Sequence, residues 1–376
     1  MEQTLSEQNS AKIKFWSFIS MVLLVFVHGY GLNIRFLQPW TDPGEPLTLT
    51  TFTEYFLANG IFRFRIPMLF IISGFLYAMH DSQPYGTRIK KRMRTLLLPY
   101  LLWSAVGLIT VAAMELTDYG RSIITSTNIM RIDETRIFLS EYQWYETIGR
   151  WIFGPVPFQL WFIRVLFFYN LAYPLLLRWI SHPVKRKVLF TIASLMWLST
   201  SGYYFFEGEG LLFFSLGIWI QKNRFDIDTP SRHLRPVGWG ILFVSVCAVK
   251  TVLAFKGAAM IGETAYLLMT ILHKIAVVSG LIAAWYGGNG LVGWCMKRRW
   301  FVSISAFSFM IYAVHVPLIT FAIDPALQLT QHLPVHRLLT FFLLPLSIIA
   351  FSILIGAALR RATPKVYGML TGGRGM

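Results

Sequence analysis

Charge is scarce in this chain. Asp, Glu, Lys and Arg make up 14% of its 376 residues, where a soluble domain carries about 25%. Acid is scarcer than base, at 18 residues against 34. Cysteine is nearly missing. Cys247 falls in an apolar run and Cys295 in a basic stretch, which argues against a disulfide framework and leaves no cysteine spacing for a metal. No internal repeat, low-complexity tract or appended soluble domain stands out. The polar start, MEQTLSEQNSAKIK, runs into an apolar segment without a small-residue cleavage site. A retained first helix is therefore expected, not a signal peptide.

Hydrocarbon is abundant, with 55% of residues hydrophobic. Apolar segments lie near 15–34, 57–79, 95–114, 158–178, 187–205, 208–221, 238–256, 263–286, 300–321 and 338–359. Each is long enough, or nearly so, for a ~30 Å hydrocarbon core. The reading is an all-α, polytopic membrane protein: a bundle of about ten transmembrane helices forming a single domain over 1–376. The net charge of +16 would point to nucleic acid in a soluble protein. Here the basic residues sit in short connections, so orientation in the membrane accounts for them and no nucleic-acid partner is expected.

Alternate connections are basic. Lys12 and Lys14 come first, then Arg88 to Arg94, Arg178 to Lys187, Lys222 to Arg235, Lys297 to Arg299, and Arg360 to Arg374. The opposite connections hold Asp42, Glu45 and Glu54, then Glu115, Asp118, Asp133, Glu134, Glu141 and Glu146, then Glu207, Glu209, Glu263 and Asp324. The positive-inside rule then places both termini in the cytoplasm, with cytoplasmic tails at 1–14 and 360–376. It also makes 115–157 a long extracytoplasmic loop, whose Trp144, Tyr145 and Trp151 suit the headgroup level.

The informative residues are the ionisable ones inside apolar segments. Arg63 and Arg65 open the second segment, in FRFRIPMLFIISGFLYA; His28, Arg164, Lys250 and His315 fall in four others. On this topology they share a layer in the outer half of the membrane, while His273 and Lys274 lie nearer mid-depth. An arginine costs roughly 2.5–3.5 kcal/mol at a helix centre, so such residues mark a cavity or a ligand. No Asp or Glu is expected well inside a helix, which counts against a proton-driven carrier. A positive cavity suits phosphate, pyrophosphate or a developing oxyanion. Histidine beside it can move a proton near neutral pH. Ser17 precedes His28 by about three helical turns and shares its face. Ser73 and Gly74 read most simply as close helix packing.

At these residues the chain resembles the acyltransferase-3 family of integral membrane acyltransferases, over nearly its whole length. KFWSFISMVLLVFVHGY is similar to the family's opening helix with its histidine, and RFRIPMLFIISGFLYA to its second-helix signature. A basic loop and RTLLLPYLLW follow, as in the family. QLWFIRVLFFYN and FSFMIYAVHVPL are similar to two later segments, the last with Tyr312, His315 and Pro317. Many members carry Arg or Lys where this chain has Ser17.

The resemblance implies transfer of an acyl group, acetyl in most members, from cytoplasmic acyl-CoA (acetyl-CoA) to a hydroxyl of a glycan or lipid-linked sugar, in a bacterial inner membrane. It implies His28 as general base and Arg63, with Arg65 beside it, as the second-helix arginine. Arg164, His315, Lys250 and Ser17 are expected around the substrate. Arg88, Lys90, Lys91 and Arg92 are expected on the donor's phosphates. Acyl-CoA is a co-substrate, no cofactor or metal is expected to be bound, and no protein partner is assigned. The alternative is a transporter or flippase for a glycan or an anionic lipid-linked precursor, which the same positive cavity would serve.

Overall fold

The computed structural model describes residues 5–30, 37–127, 129–130 and 136–376. The end of the first apolar segment, 31–34, and the loop acids Asp133 and Glu134 lie outside the described residues. The α-helices are α1 (Glu7–His28), α2 (Leu49–Tyr55), α3 (Arg65–Met79), α4 (Tyr85–Arg92), α5 (Leu98–Met114), α6 (Asp118–Thr127), α7 (Trp144–Ile152), α8 (Trp161–Ser181), α9 (Pro183–Leu198), α10 (Gly208–Lys222), α11 (Pro236–Ile261), α12 (Thr264–Gly287), α13 (Asn289–Met296), α14 (Arg299–Ser305), α15 (Ser308–Thr330), α16 (His336–Ala362) and α17 (Pro364–Thr371). Among the described residues the only β pairing is one isolated bridge, Gly202 with Glu207.

Among the described residues eight helical runs are long and apolar enough to cross a membrane. The chain is an all-helical, multi-pass membrane protein. The fifth and sixth expected spans are the shorter helices α9 and α10, of 16 and 15 residues. At 1.5 Å per residue these reach about 24 and 22 Å, short of a full ~30 Å core. The expected ninth span is divided, because the chain turns between α14 and α15. Two expected tails are also folded. α1 already includes residues 7–14, and α17 occupies part of 360–376. The 115–157 loop carries α6 and α7.

The helices group into two compact units. The first comprises Met1–Val27, Leu37–Ile89 and Phe168–Ser305; the second comprises His28–Phe36, Lys90–Phe167 and Ala306–Met376.

In the first unit α2 and α3 belong to one helical run, Leu49–Met79. Its winding changes midway, to a π-helical turn at Phe56–Gly60 and a 3₁₀ turn at Ile61–Phe64. Such turns redirect side chains and carbonyls that a regular helix would hold in register. α3 packs tightly on α10. A Cβ on Gly74 would collide with the Phe214 carbonyl, and one on Gly217 with the Ile71 carbonyl. The small residues let two backbones approach without an intervening side chain, as membrane helices favour. α11 and α12 form a hairpin through Gly262, whose φ of +58° favours glycine.

In the second unit α15 and α16 pack side by side. α15 is interrupted at Val316, with φ −117° and ψ 132°, because the residue before Pro317 is pushed out of the helical region. α6 packs on α5 through Leu108, Val111, Ile123 and Ile124, with Val156 and Phe321 in the same cluster. The C-terminal segment is docked. Trp103 Nε1 donates to the Leu370 carbonyl at 3.0 Å and Arg374 Nη1 to the Thr95 carbonyl at 2.9 Å. Burial, and after it the charge of Arg92, push the Arg374 guanidinium down to about 10.

Gly74→Ala should lower the thermal midpoint of the detergent-solubilised protein, at a cost of about 1–3 kcal/mol for overpacking against backbone. Gly86→Ala, where a Cβ meets open space, should leave it within about 0.5 kcal/mol of the parent. Equal midpoints for the two variants would refute the close contact.

Candidate active site

In the second unit the interruption of α15 organises a histidine pair. Ending the helix at Val316 frees carbonyls in the preceding turn, and Gln159 collects them. Gln159 Nε2 lies 3.3 Å from the Tyr312 carbonyl, 3.4 Å from that of Ala313 and 3.3 Å from that of Val316. Tyr312 returns a bond, its hydroxyl donating to the Gln159 carbonyl at 2.6 Å. His315 is buried inside this frame. Its Nδ1 lies 3.0 Å from the Ile311 carbonyl. A carbonyl only accepts, so Nδ1 carries the proton and Nε2 is the basic nitrogen of the neutral ring. His28 stacks on this ring, with centroids 5.4 Å apart and planes 23° apart. Phe158 stands edge-on to His28 at 4.8 Å. His28 is half-buried, so solvent or a ligand reaches it. Arg164 is also half-buried, with Nη1 on the Phe153 carbonyl.

In the first unit the irregular run Phe56–Phe64 organises a cluster of cations. Asn59 is its hub. Arg63 Nε donates to Asn59 Oδ1 at 2.8 Å, and Arg63 Nη2 bonds to the Leu37 carbonyl. Asn59 Nδ2 donates to Tyr55 Oη at 2.7 Å and to the Gln38 carbonyl at 3.0 Å. Lys250 Nζ donates to the Asn59 carbonyl at 2.6 Å and stands 3.2 Å from His273 Nδ1. Lys250 and Asn59 have no exposed surface. Arg65 is buried too, with Nη1 on the Phe62 carbonyl at 2.8 Å. The carboxylate of Glu209 interacts electrostatically with Lys274, Arg63 and Arg65. It also accepts from Trp197 Nε1 at 3.3 Å, while Lys274 Nζ lies over the Trp197 ring at 4.9 Å.

A family model described as the acyltransferase domain, of the acyltransferase-3 type, matches residues 12–360. The chain belongs to this acyltransferase family. It is 25% identical over 372 residues to the succinoglycan biosynthesis protein ExoH of Rhizobium meliloti (strain 1021), covering 97% of this chain and 92% of that protein. No solved structure matches it.

Within each unit the acyltransferase brings several of the expected residues together. His28 meets His315 in the second, and Arg63 meets Lys250 through Asn59 in the first. Ser17 lies half-buried on α1 and joins neither group among the described residues. The donor set divides. Arg88 is not a free phosphate ligand. Its guanidinium bonds to Asp81 at 2.8 Å and to the Tyr77 carbonyl at 2.6 Å, and it lies over the rings of both Tyr77 and Tyr173. Lys90 and Lys91 on the same helix are exposed and Arg92 is half-buried.

The expected absence of acid inside helices does not hold. Glu54 is buried in α2, and Glu209 stands in the first turn of α10. Sequence reasoning had counted both as loop residues because they border apolar runs. It also passed over Asn59 and Gln159, whose uncharged amides give no hydropathy signal. Among the described residues no group of three or more His, Cys, Asp or Glu stands together as a metal site.

Asn59→Ala should strip Arg63 Nε and Tyr55 Oη of a buried partner, each worth about 1–3 kcal/mol. The thermal midpoint should fall with little change for Thr53→Ala on the exposed face of the same run, where the hydroxyl only returns to the Leu49 carbonyl. Two variants melting alike would deny Asn59 the role of hub.

Proposed function

We propose that this acyltransferase moves an acyl group, acetyl as the family most often uses, from cytoplasmic acyl-CoA to a hydroxyl of an extracytoplasmic or lipid-linked glycan. The observation that carries the reading is the His28–His315 stack, in which His315 is locked by the Ile311 carbonyl and His28 remains reachable. The glycan acceptor rests on the likeness to a succinoglycan biosynthesis protein. The alternating basic connections support cytoplasmic termini, and the family supports a bacterial inner membrane as the setting.

His28 acts as general base. It takes the proton of the acceptor hydroxyl as the oxygen attacks the thioester carbonyl. The C–O bond forms, the C–S bond breaks, and the proton passes to the departing thiolate of CoA. Such a base is worth typically 10²–10⁴-fold. His315 positions the His28 ring by stacking. Arg63 and Arg65 are read as holding an anionic group of the donor, for which a guanidinium suits because it stays charged on burial. The half-buried Arg164 adds positive charge for the substrate, whereas Lys250, with no exposed surface and its ammonium on the Asn59 carbonyl, serves the fold. Lys90, Lys91 and Arg92 offer exposed or half-exposed charge for the donor's phosphates, a role from which Arg88 is withdrawn by Asp81.

Deleting the protein should remove an acyl-sized mass increment from the cell's envelope or secreted glycans, and wild type should restore it. His28→Ala at equal membrane abundance should restore about 10²-fold less or nothing. An unchanged ester pattern with unexported precursor accumulating in the membrane would replace this reading with a flippase.

A further inference from the structure

The first unit holds a cavity of about 390 Å³, lined by hydrocarbon and aromatic side chains of α1, α3, α9, α10 and α12 and of the connection between α10 and α11. Its lining residues follow charged residues along the same helices. Met68 and Ile72 come after Arg65 on α3, Leu216 after Glu209 on α10, and Val278 after Lys274 on α12. At the far end stand Phe225 and Ile227 of the connection, with Trp285 and Tyr286 of α12. The polar atoms of those two rings are engaged. Trp285 Nε1 donates to the Ile227 carbonyl at 2.9 Å and the Tyr286 hydroxyl to the Asp226 carbonyl at 3.3 Å.

Two general arguments narrow what fills this space. Water needs two to four polar partners per molecule, which such a lining does not supply. The pantetheine arm of coenzyme A carries two amide groups, and burying these without hydrogen bonds is costly. A hydrocarbon chain meets neither objection.

The charge at the far end indicates what the chain is attached to. Lys12 is fully buried beside the lining residue Ile13. Its ammonium lies 5.3 Å from the Trp285 ring centroid and 5.8 Å from that of Tyr286. It has no hydrogen-bond partner among the described residues; Asp228 and Asp226 act on it through charge alone. The same connection exposes Arg224, Arg232 and Arg235. We propose that the cavity is a phospholipid site, holding one acyl chain among Met68, Ile72, Leu216 and Val278 with an anionic headgroup at Lys12 and the α10–α11 connection. This site is separate from acyl transfer and does not depend on that reading.

The full-length protein, reconstituted in vesicles of equimolar phosphatidylcholine and phosphatidylglycerol and extracted in detergent, can be weighed by native mass spectrometry. A phosphatidylglycerol adduct should persist on wild type and be lost from Ile72→Phe and Val278→Phe, which fill the cavity. Lys12→Met should keep an adduct but lower the preference for phosphatidylglycerol about fivefold, the worth of one lysine at an anionic surface. An adduct unchanged in both filled variants, or one displaced by coenzyme A, would overturn the proposal. If the filled variants do not fold, wild type decides. Brominated phosphatidylglycerol should quench its tryptophans, three of which line the cavity, more than brominated phosphatidylcholine does. Equal quenching would also overturn it.

Discussion

The hydrogen bonds that converge on Asn59 are the constraint on which the first unit depends. Lys250 and Arg63 are cations in a segment built for hydrocarbon, where charge without a partner is expensive. One amide answers both. Its side chain takes Arg63 Nε and its backbone carbonyl takes Lys250 Nζ. A regular α-helix would commit that carbonyl to its own fourth neighbour. The π-helical and 3₁₀ turns between Phe56 and Phe64 alter that register, so irregular winding and cation burial occur at the same place. Glu209 adds a negative charge facing Arg63, Arg65 and Lys274, which limits the repulsion among them.

The second unit solves a related problem without charge. Pro317 ends the helical geometry of α15 at Val316, and carbonyls released there must find donors inside a membrane protein. Gln159 supplies them, and Tyr312 closes the loop by donating back. The consequence for chemistry is that His315 sits on a braced turn with its protonated nitrogen fixed. The half-buried His28 ring lies against it. A pair held in this way can specify which nitrogen is basic, a property that a lone histidine on a helix face does not have.

Much of the fold was legible in the sequence because hydrophobic length is a local property. The long apolar runs became helices, and Ser73-Gly74, read as close packing, became the contact of α3 with α10. The shortfalls have local causes as well. α9 and α10 are shorter than a full span, and Ala306 and Phe307 divide what hydropathy alone joins into one helix. The polar ends hid structure, since neither α7 nor α17 is long or apolar enough to announce a span, yet α17 is anchored through Trp103.

The candidate site was legible only in part. Intramembrane cations and histidines are conspicuous against hydrocarbon, so Arg63, Arg65, Lys250, His28 and His315 could be named from composition and position. Their partners could not. Asn59 and Gln159 are ordinary amides, Glu209 borders a helix end, and Arg88 looks like any loop arginine until Asp81, Tyr77 and Tyr173 surround it. The sequence by itself determined which segments are apolar and where cations interrupt them, because those follow from the transfer free energy of each residue in turn. Only the tertiary structure decided which charge is spent on holding the fold and which is left for a ligand, because partnership depends on residues far apart in the chain arriving within hydrogen-bond distance.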